Sequence, residues 1–416
     1  MTEAQTPVRV AEPRLRQTGI GINYLGFTGS MGLAALGDAS WYIALTWTLA
    51  RNVSPAVEGS LLALASLPRM VALLGGGLLA ARRGPRRVMV VSDLLRCLVM
   101  LAAAGMITLT SPSVPLLFVA AVLVALLSAF FIPASGAVKP LLLDDQDQVR
   151  GNALYILGLR GGQAVGGPLG AWLMGVGGVA LVALVDAVGY ACSAAASWRV
   201  RYRRQPPSVA VTERPRFGAQ LAQGLCYLRF ERGVLLAVLL IALTEVACAA
   251  PVNLGLVLLS HRLHSGAGGA GLLLTAYTLG AVASSGLALA LPPLRRGGPA
   301  LIIDTAVAGG CLLGAGLLHS LGPVLALYAV LGLVTGQSGV ILVSLTQRLT
   351  PGAFRARVMT VLSLVVYASA PLANLLFGLL AAALGLPGTM AVFGCLAFAA
   401  TVIVAVTPRL RATRLG

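Results

Sequence analysis

Charged side chains stand inside long apolar runs of this chain, among them Asp38, Arg69, Arg160, Asp186 and Glu245. A charge at the depth of a bilayer core costs about 2.5–3.5 kcal/mol on insertion scales, so such a group is paired or put to use. Asp38 and Arg69 fall on consecutive runs of opposite direction. At a rise of about 1.5 Å per residue their depths differ by about 4–5 Å. A salt bridge is within reach, and Asp38 is either the partner of Arg69 or a group that responds to protons. Glu245, in Leu243-Thr244-Glu245-Val246, is central in its run, with no cation evident at its depth in the same half of the chain. Burial without a partner disfavours a charged carboxylate, which suits a group that takes up and releases protons or meets a ligand. The alternative is a protonated acid hydrogen-bonded to backbone. Arg160 and Asp186 reach similar depths and form a second candidate pair, structural in character. Asp93 and Arg96 stand one turn apart near the end of a run, where a local charge network is expected.

Catalysis finds no support in the same inventory. The three histidines, His261, His264 and His319, lie at run ends without a carboxylate nearby to complete a metal site. The six cysteines are scattered and form no C-x-x-C pair, so they read as small apolar residues. The phosphate-binding pattern Gly-x-x-x-x-Gly-Lys-Ser/Thr is absent, and Lys139 is the only lysine. Neither an enzyme, a metal nor a cofactor is expected.

The elements that must position the buried charges are transmembrane helices. The chain has 416 residues, 58% apolar and only 10% charged, against roughly 25% charged in a soluble domain. A bilayer core needs roughly 20 apolar residues per helical crossing. Such runs fall at 21–48, 58–81, 88–109, 115–137, 152–175, 178–198, 233–258, 268–291, 299–319, 322–346, 357–383 and 387–407. The expectation is an all-α polytopic membrane protein of about twelve spans. The fifth and sixth are parted only by a Gly-rich turn at Gly175–Gly178. No cleavable leader is visible, and the first span is the expected insertion signal.

The net charge of +17 would suit nucleic acid, but its distribution argues for topology. With twelve spans and the N-terminus inside, 25 of the 30 Lys and Arg fall on one side; Arg51 and Arg262 fall on the other. This is the bias that places basic loops in the cytoplasm. Both termini are therefore expected inside, in a cell membrane of bacterial type, and no nucleic-acid partner is expected.

A hydrophilic stretch at 199–232 divides the chain into halves, 1–198 and 233–416. It is rich in arginine and broken by Pro206-Pro207. Within it Phe217, Leu221, Leu225 and Leu228 recur at helical spacing. They predict a helix lying either on the membrane surface beside anionic lipid or on the cytoplasmic face of the bundle itself. The halves look like repeats. Gly77-Leu-Leu-Ala-Ala, arginines and Asp93 parallel Gly286-Leu-Ala-Leu-Ala, Arg295-Arg296 and Asp304. Pro168-Leu-Gly-Ala-Trp-Leu-Met-Gly175 parallels Pro371-Leu-Ala-Asn-Leu-Leu-Phe-Gly378. Duplicated halves with a site between them at mid-membrane are a common transporter plan.

The loop after the second span, Gly77-Leu-Leu-Ala-Ala-Arg82-Arg83-Gly84-Pro85-Arg86-Arg87, resembles the Gly-x-x-x-Asp-Arg-x-Gly-x-Arg-Arg signature of the major facilitator superfamily. Ala81 stands where that family has Asp, an acid that usually holds the halves together on the cytoplasmic side. Asp93 and Arg96 are counted with this cytoplasmic gate motif. Gly162, Gly166, Gly167, Pro168 and Gly170 resemble the Gly-x-x-x-Gly-Pro-x-x-Gly-Gly motif of exporters in the family. Gln163 stands for its first Gly and Ala171 for its last. A small-residue helix interface is the structural alternative. Gly37-Asp38-Ala-Ser-Trp41, Val185-Asp186-Ala187 and Pro351-Gly-Ala-Phe-Arg355-Ala-Arg357-Val358 are similar to the branch of macrolide efflux proteins and enterobactin exporters. The resemblance implies two six-helix halves and alternating access. It further implies a monomer that exports small amphipathic molecules or drugs against protons among membrane lipids. A secondary importer or facilitator on the same fold is the alternative.

Overall fold

Inside a bilayer no water is available to backbone N–H and C=O groups, so a chain this apolar must satisfy them within helices. The computed structural model describes residues 21–144, 147–202, 217–290 and 297–408. Among these residues every regular element is helical. The helices are α1 (Ile22–Asn52), α2 (Pro55–Arg83), α3 (Pro85–Thr110), α4 (Val114–Val138), α5 (Gln148–Arg199), α6 (Phe217–Phe230), α7 (Arg232–Ala250), α8 (Leu256–Arg262), α9 (Gly266–Ala290), α10 (Gly297–Leu317), α11 (Leu321–Leu349) and α12 (Gly352–Val406). Expectations for the first twenty residues, for Pro206-Pro207, for Arg295-Arg296 and for the last arginines lie outside the described residues.

Eight helices among the described residues are long and apolar enough to cross a membrane. α1 and α2 are not among the eight, although they are 31 and 29 residues long; α1 carries Asp38, and α2 carries Glu58 and Arg69. Two of the eight, Arg150–Arg199 and Arg357–Val406, are 50 residues long. Each folds into two arms at one glycine, Gly178 (φ 67°, ψ −167°) and Gly385 (φ 68°, ψ 174°). Only glycine adopts that conformation freely. The two breaks stand 207 residues apart, within the spacing of the sequence repeats. α7 runs into α8 through a wide turn at Pro251–Gly255, because Pro251 has no N–H to offer the preceding turn.

The core shows how the two groups of helices, α1–α5 and α7–α12, meet. One buried cluster combines both groups: Trp41, Ile43 and Leu49 of α1 and Tyr190 of α5 share it with Leu256, Leu273, Tyr328 and Phe377. At the end of the bundle that carries the arginine-rich loops the core divides. Tyr24, Phe27, Val88, Met89, Phe131 and Val138 form a cluster of the first group alone. Leu240, Ile241, Leu301, Ile341, Leu342 and Val404 form one of the second. The halves are joined at the neutral end and separate at the basic end.

α6 covers the stretch where Phe217, Leu221, Leu225 and Leu228 recur. It packs on the bundle: Leu228 is buried with Val358 and Val361, and Tyr227 stacks on Phe354 with ring centroids 4.6 Å apart. Its other face exposes Leu225 and Phe230.

Candidate functional site

The close approaches between the halves are made by small residues and aromatic stacks at the neutral end. Gly59 of α2 lies against the backbone of Asn374 and Gly378 of α12, so that a Cβ on either glycine would meet the opposite chain. Gly167 of α5 faces Gly271 of α9 in the same way, and Thr275 donates to the carbonyl of Ala164. Trp47 of α1 stacks on His261 of α8, centroids 3.9 Å apart.

Midway along the bundle the contact between halves turns polar. Arg160 of α5 donates to Gln163 at 3.3 Å and lies within electrostatic reach of Glu245 on α7 and Tyr277 on α9. Thr335 of α11 donates to the Tyr277 hydroxyl at 3.3 Å. Arg69 of α2 sits over the ring of Tyr367 of α12 at 5.7 Å, within the range of a cation–π contact. Among the described residues no cation comes within ion-pair distance of Glu245. Its carboxyl faces a guanidinium of the other half and stays half-buried. A cation in electrostatic reach of Glu245 thus stands in the first half, beyond ion-pair distance. Linear depth along one half could not reveal this, because the approach crosses the interface.

Two expected pairs are not formed. Asp38 does not meet Arg69; its Oδ1 accepts the Tyr190 hydroxyl of the second arm of α5. α2 packs instead on α4 and α12. Depths match, but the two side chains leave their helices in different directions. Asp186 does not meet Arg160 either. It is fully buried against Gly37, where a Cβ would run into its carboxyl, and neither oxygen has a described hydrogen-bond partner. Asp186 instead joins a network within the first half. Asp93 pairs with Arg96 and accepts the Ser193 hydroxyl at 2.6 Å. Arg96 lies over the rings of Phe131 and Tyr190, each at 4.4 Å. Asp38 is in electrostatic reach of both Asp93 and Asp186. The stretches Gly37-Asp38 and Val185-Asp186-Ala187, far apart in sequence, are thereby neighbours.

Three glycines of the exporter-like motif pack on α1. Gly162, Gly166 and Gly170, with Gly158 one turn ahead of them, lie on the backbone of Gly32, Leu36, Ser40 and Thr28 respectively. Ser40 donates to the carbonyl of Gly166 at 2.8 Å. The arginine-rich loop works within its own half. Gly84 turns the chain at φ 85° between α2 and α3, and Arg86 donates to the carbonyl of Trp198 at the end of α5. Asp93, counted with the gate motif, is committed to Arg96 in the same half.

Sequence reasoning missed Glu58 and Tyr42. Glu58 is wholly buried at the neutral end beside Gly59, both oxygens unpartnered among the described residues, and the Tyr42 hydroxyl is also unpartnered. The signal was present in the sequence, since a carboxylate follows Pro55 by three residues at the start of an apolar run. Read linearly, that position belongs to a solvated helix end.

The fold is that of known transporters. A nucleoside transporter, NupG, superposes with a TM-score of 0.73 at 11% identity, covering 92% of this chain and 99% of that one. A D-xylose-proton symporter gives 0.70 at 14%, covering 95% and 100%. A bacterial homologue of the human lysosomal transporter Spinster, in an inward-facing and occupied conformation, gives 0.69 at 15%, covering 93% and 96%. In sequence the chain is 27% identical over 392 residues to the multidrug efflux pump Tap of Mycolicibacterium fortuitum, covering 91% of this chain and 94% of that protein. The model of the Major Facilitator Superfamily matches residues 27–296. With that match spanning well over half its length, this chain belongs to the Major Facilitator Superfamily.

Proposed function

We propose that this protein is a proton-coupled exporter of small amphipathic molecules, working by alternating access across twelve membrane crossings. The two 50-residue helices cross twice each, and the basic end and both termini face the cytoplasm. The observation that carries the reading is Glu245, a half-buried carboxyl without an ion pair that faces Arg160 of the other half at mid-depth. A group placed between the halves changes its surroundings whenever they rock, as a coupling site must. Export as the direction draws on the likeness to the pump Tap. Import on the same fold is the second reading; it draws on Gln163 and Ala171, which depart from the exporter pattern.

Gln has almost the shape of Glu and cannot titrate. If Glu245 carries the proton, Glu245→Gln folds and binds substrate but loses transport driven by a pH gradient in proteoliposomes, while substrate counterflow persists. If it holds a cationic substrate, binding itself weakens, more for cations than for neutral analogues. Gradient-driven transport per folded molecule near wild type would remove Glu245 from the mechanism.

A further inference from the structure

Glu58 stands where the halves close on each other, and the mechanism above does not use it. It precedes Gly59, whose backbone touches Asn374 and Gly378 of the other half. Glu58 is 0% exposed, and neither oxygen finds a hydrogen-bond donor among the described residues. The groups around it offer no charge. On α1 the facing titratable group is Tyr42, whose buried hydroxyl is also unpartnered. α4, which packs along α2, has no titratable side chain. On α12 the nearest polar residue is Asn374, its Oδ1 buried and unpartnered, while Tyr367, Arg357 and Arg355 lie further toward the basic end. Arg51, His264, and Arg262 beside His319 also stand at the neutral end, and His261 is occupied in stacking on Trp47; none of them is a described partner of Glu58. A bare carboxylate enclosed without a cation or donor is strongly disfavoured, whereas the neutral acid fits and can donate its own proton to an unpartnered oxygen nearby.

We propose that Glu58 is a proton-binding site built into the gate at the neutral end: the carboxyl must take a proton before α2 can close on α12, and gives it up when they part. The proton comes from water on that side while the carboxyl is exposed and returns there on opening; no other bond changes. This rests on the reading that the halves part at this end, but not on proton-driven export or on any substrate. It differs from the role proposed for Glu245, since Glu58 lies at the sealed end and not between the halves at mid-depth.

The test is a distance across the gate. Spin labels are placed at N52C on α1 and L384C on α12, both exposed near the neutral end, after the six native cysteines are replaced. Distances are measured without substrate or gradient between pH 5 and pH 9. The expected result is a short, closed distance at low pH that yields to a longer one as pH rises. One linked proton changes the closed-to-open ratio by up to about tenfold per pH unit. E58Q, which remains neutral, should stay closed throughout. A wild-type ratio that ignores pH would overturn the proposal, as would an E58Q ratio that follows wild type. A response that survives E58Q and vanishes in H261Q would assign the switch to the histidine instead. Should E58Q not be recovered folded, E58A carries the same expectation of a pH-independent ratio. Since no transport is measured, a failure of proton-driven export in proteoliposomes is a separate result.

Discussion

Asp93 and Arg96 depend on each other among the buried charges, for each is nearly or wholly enclosed and each is the other's counter-charge. Breaking one member of such a pair typically costs about 3–5 kcal/mol, because the survivor is left buried and uncompensated. Asp93→Asn should therefore lower thermal stability sharply, and Arg96→Gln in the same chain should restore part of it. Strictly additive losses, measured by thermal unfolding of the detergent-solubilised protein, would show that the pair does not act as one unit. This scale is also where the sequence was least legible. It located Asp38, Arg69, Arg160, Asp186 and Glu245 on their helices, because depth follows from counting residues. It did not say which way a side chain leaves the helix, so Asp38 was matched to Arg69 where Tyr190 is the partner, and Asp186 to Arg160 where Gly37 and Asp38 are the neighbours. Glu58 was passed over for a related reason. A residue three positions into a helix is ordinarily wet, whereas this one lies beside the contact of α2 with α12 and is wholly buried.

Between α1 and α5 the contact is made of backbone more than of side chains. Gly162 is seated on the Gly32 carbonyl, whereas the adjacent Gly161 has open space where a Cβ would stand. Gly162→Ala must push the helices apart, at a cost of about 1–3 kcal/mol for overpacking. Gly161→Ala meets nothing and should gain a few tenths to about 1 kcal/mol from helix propensity. The yield of folded protein in size-exclusion chromatography is expected to fall for the first and hold for the second; equal yields would remove the close-approach account. At this scale the sequence was largely sufficient. All the apolar runs are helical in the described residues, and the expected Gly175–Gly178 turn falls at Gly178. The second such break, at Gly385, could be placed only as a gap between runs. The exporter-like glycines were recognisable as a motif, and their opposing residues on α1 were not, since nothing in a motif names its partner.

For the molecule as a whole, the shared core at one end and the divided core at the other describe two bodies that meet along a breakable seam. The seam is lined by Gly59, Gly167, Gly271 and Gly378, so it gives shape-matched contact with few interlocking side chains to withdraw. The topology proposed above puts the divided end in the cytoplasm. A cysteine at exposed Arg87, in a background without the native six, should react with an impermeant maleimide only after cells are permeabilised. Labelling of intact cells would reverse the orientation, and with it the direction assigned to each end. The bipartite plan was legible from the repeats, but the border between the bodies was not. Reading hydrophobicity alone, the second half begins at 233. The stacking of Tyr227 on Phe354 and the seating of Gly224 on Arg357 fasten α6 to the body that follows it. A transporter encoded as two separate polypeptides would therefore need the second to start ahead of Phe217, so that α6 travels with the body it is fastened to. A second polypeptide that started at 233 would take Leu228 and Tyr227 away from the cluster that buries Val358 and Val361, and leave them to Val234 and Val238 of α7.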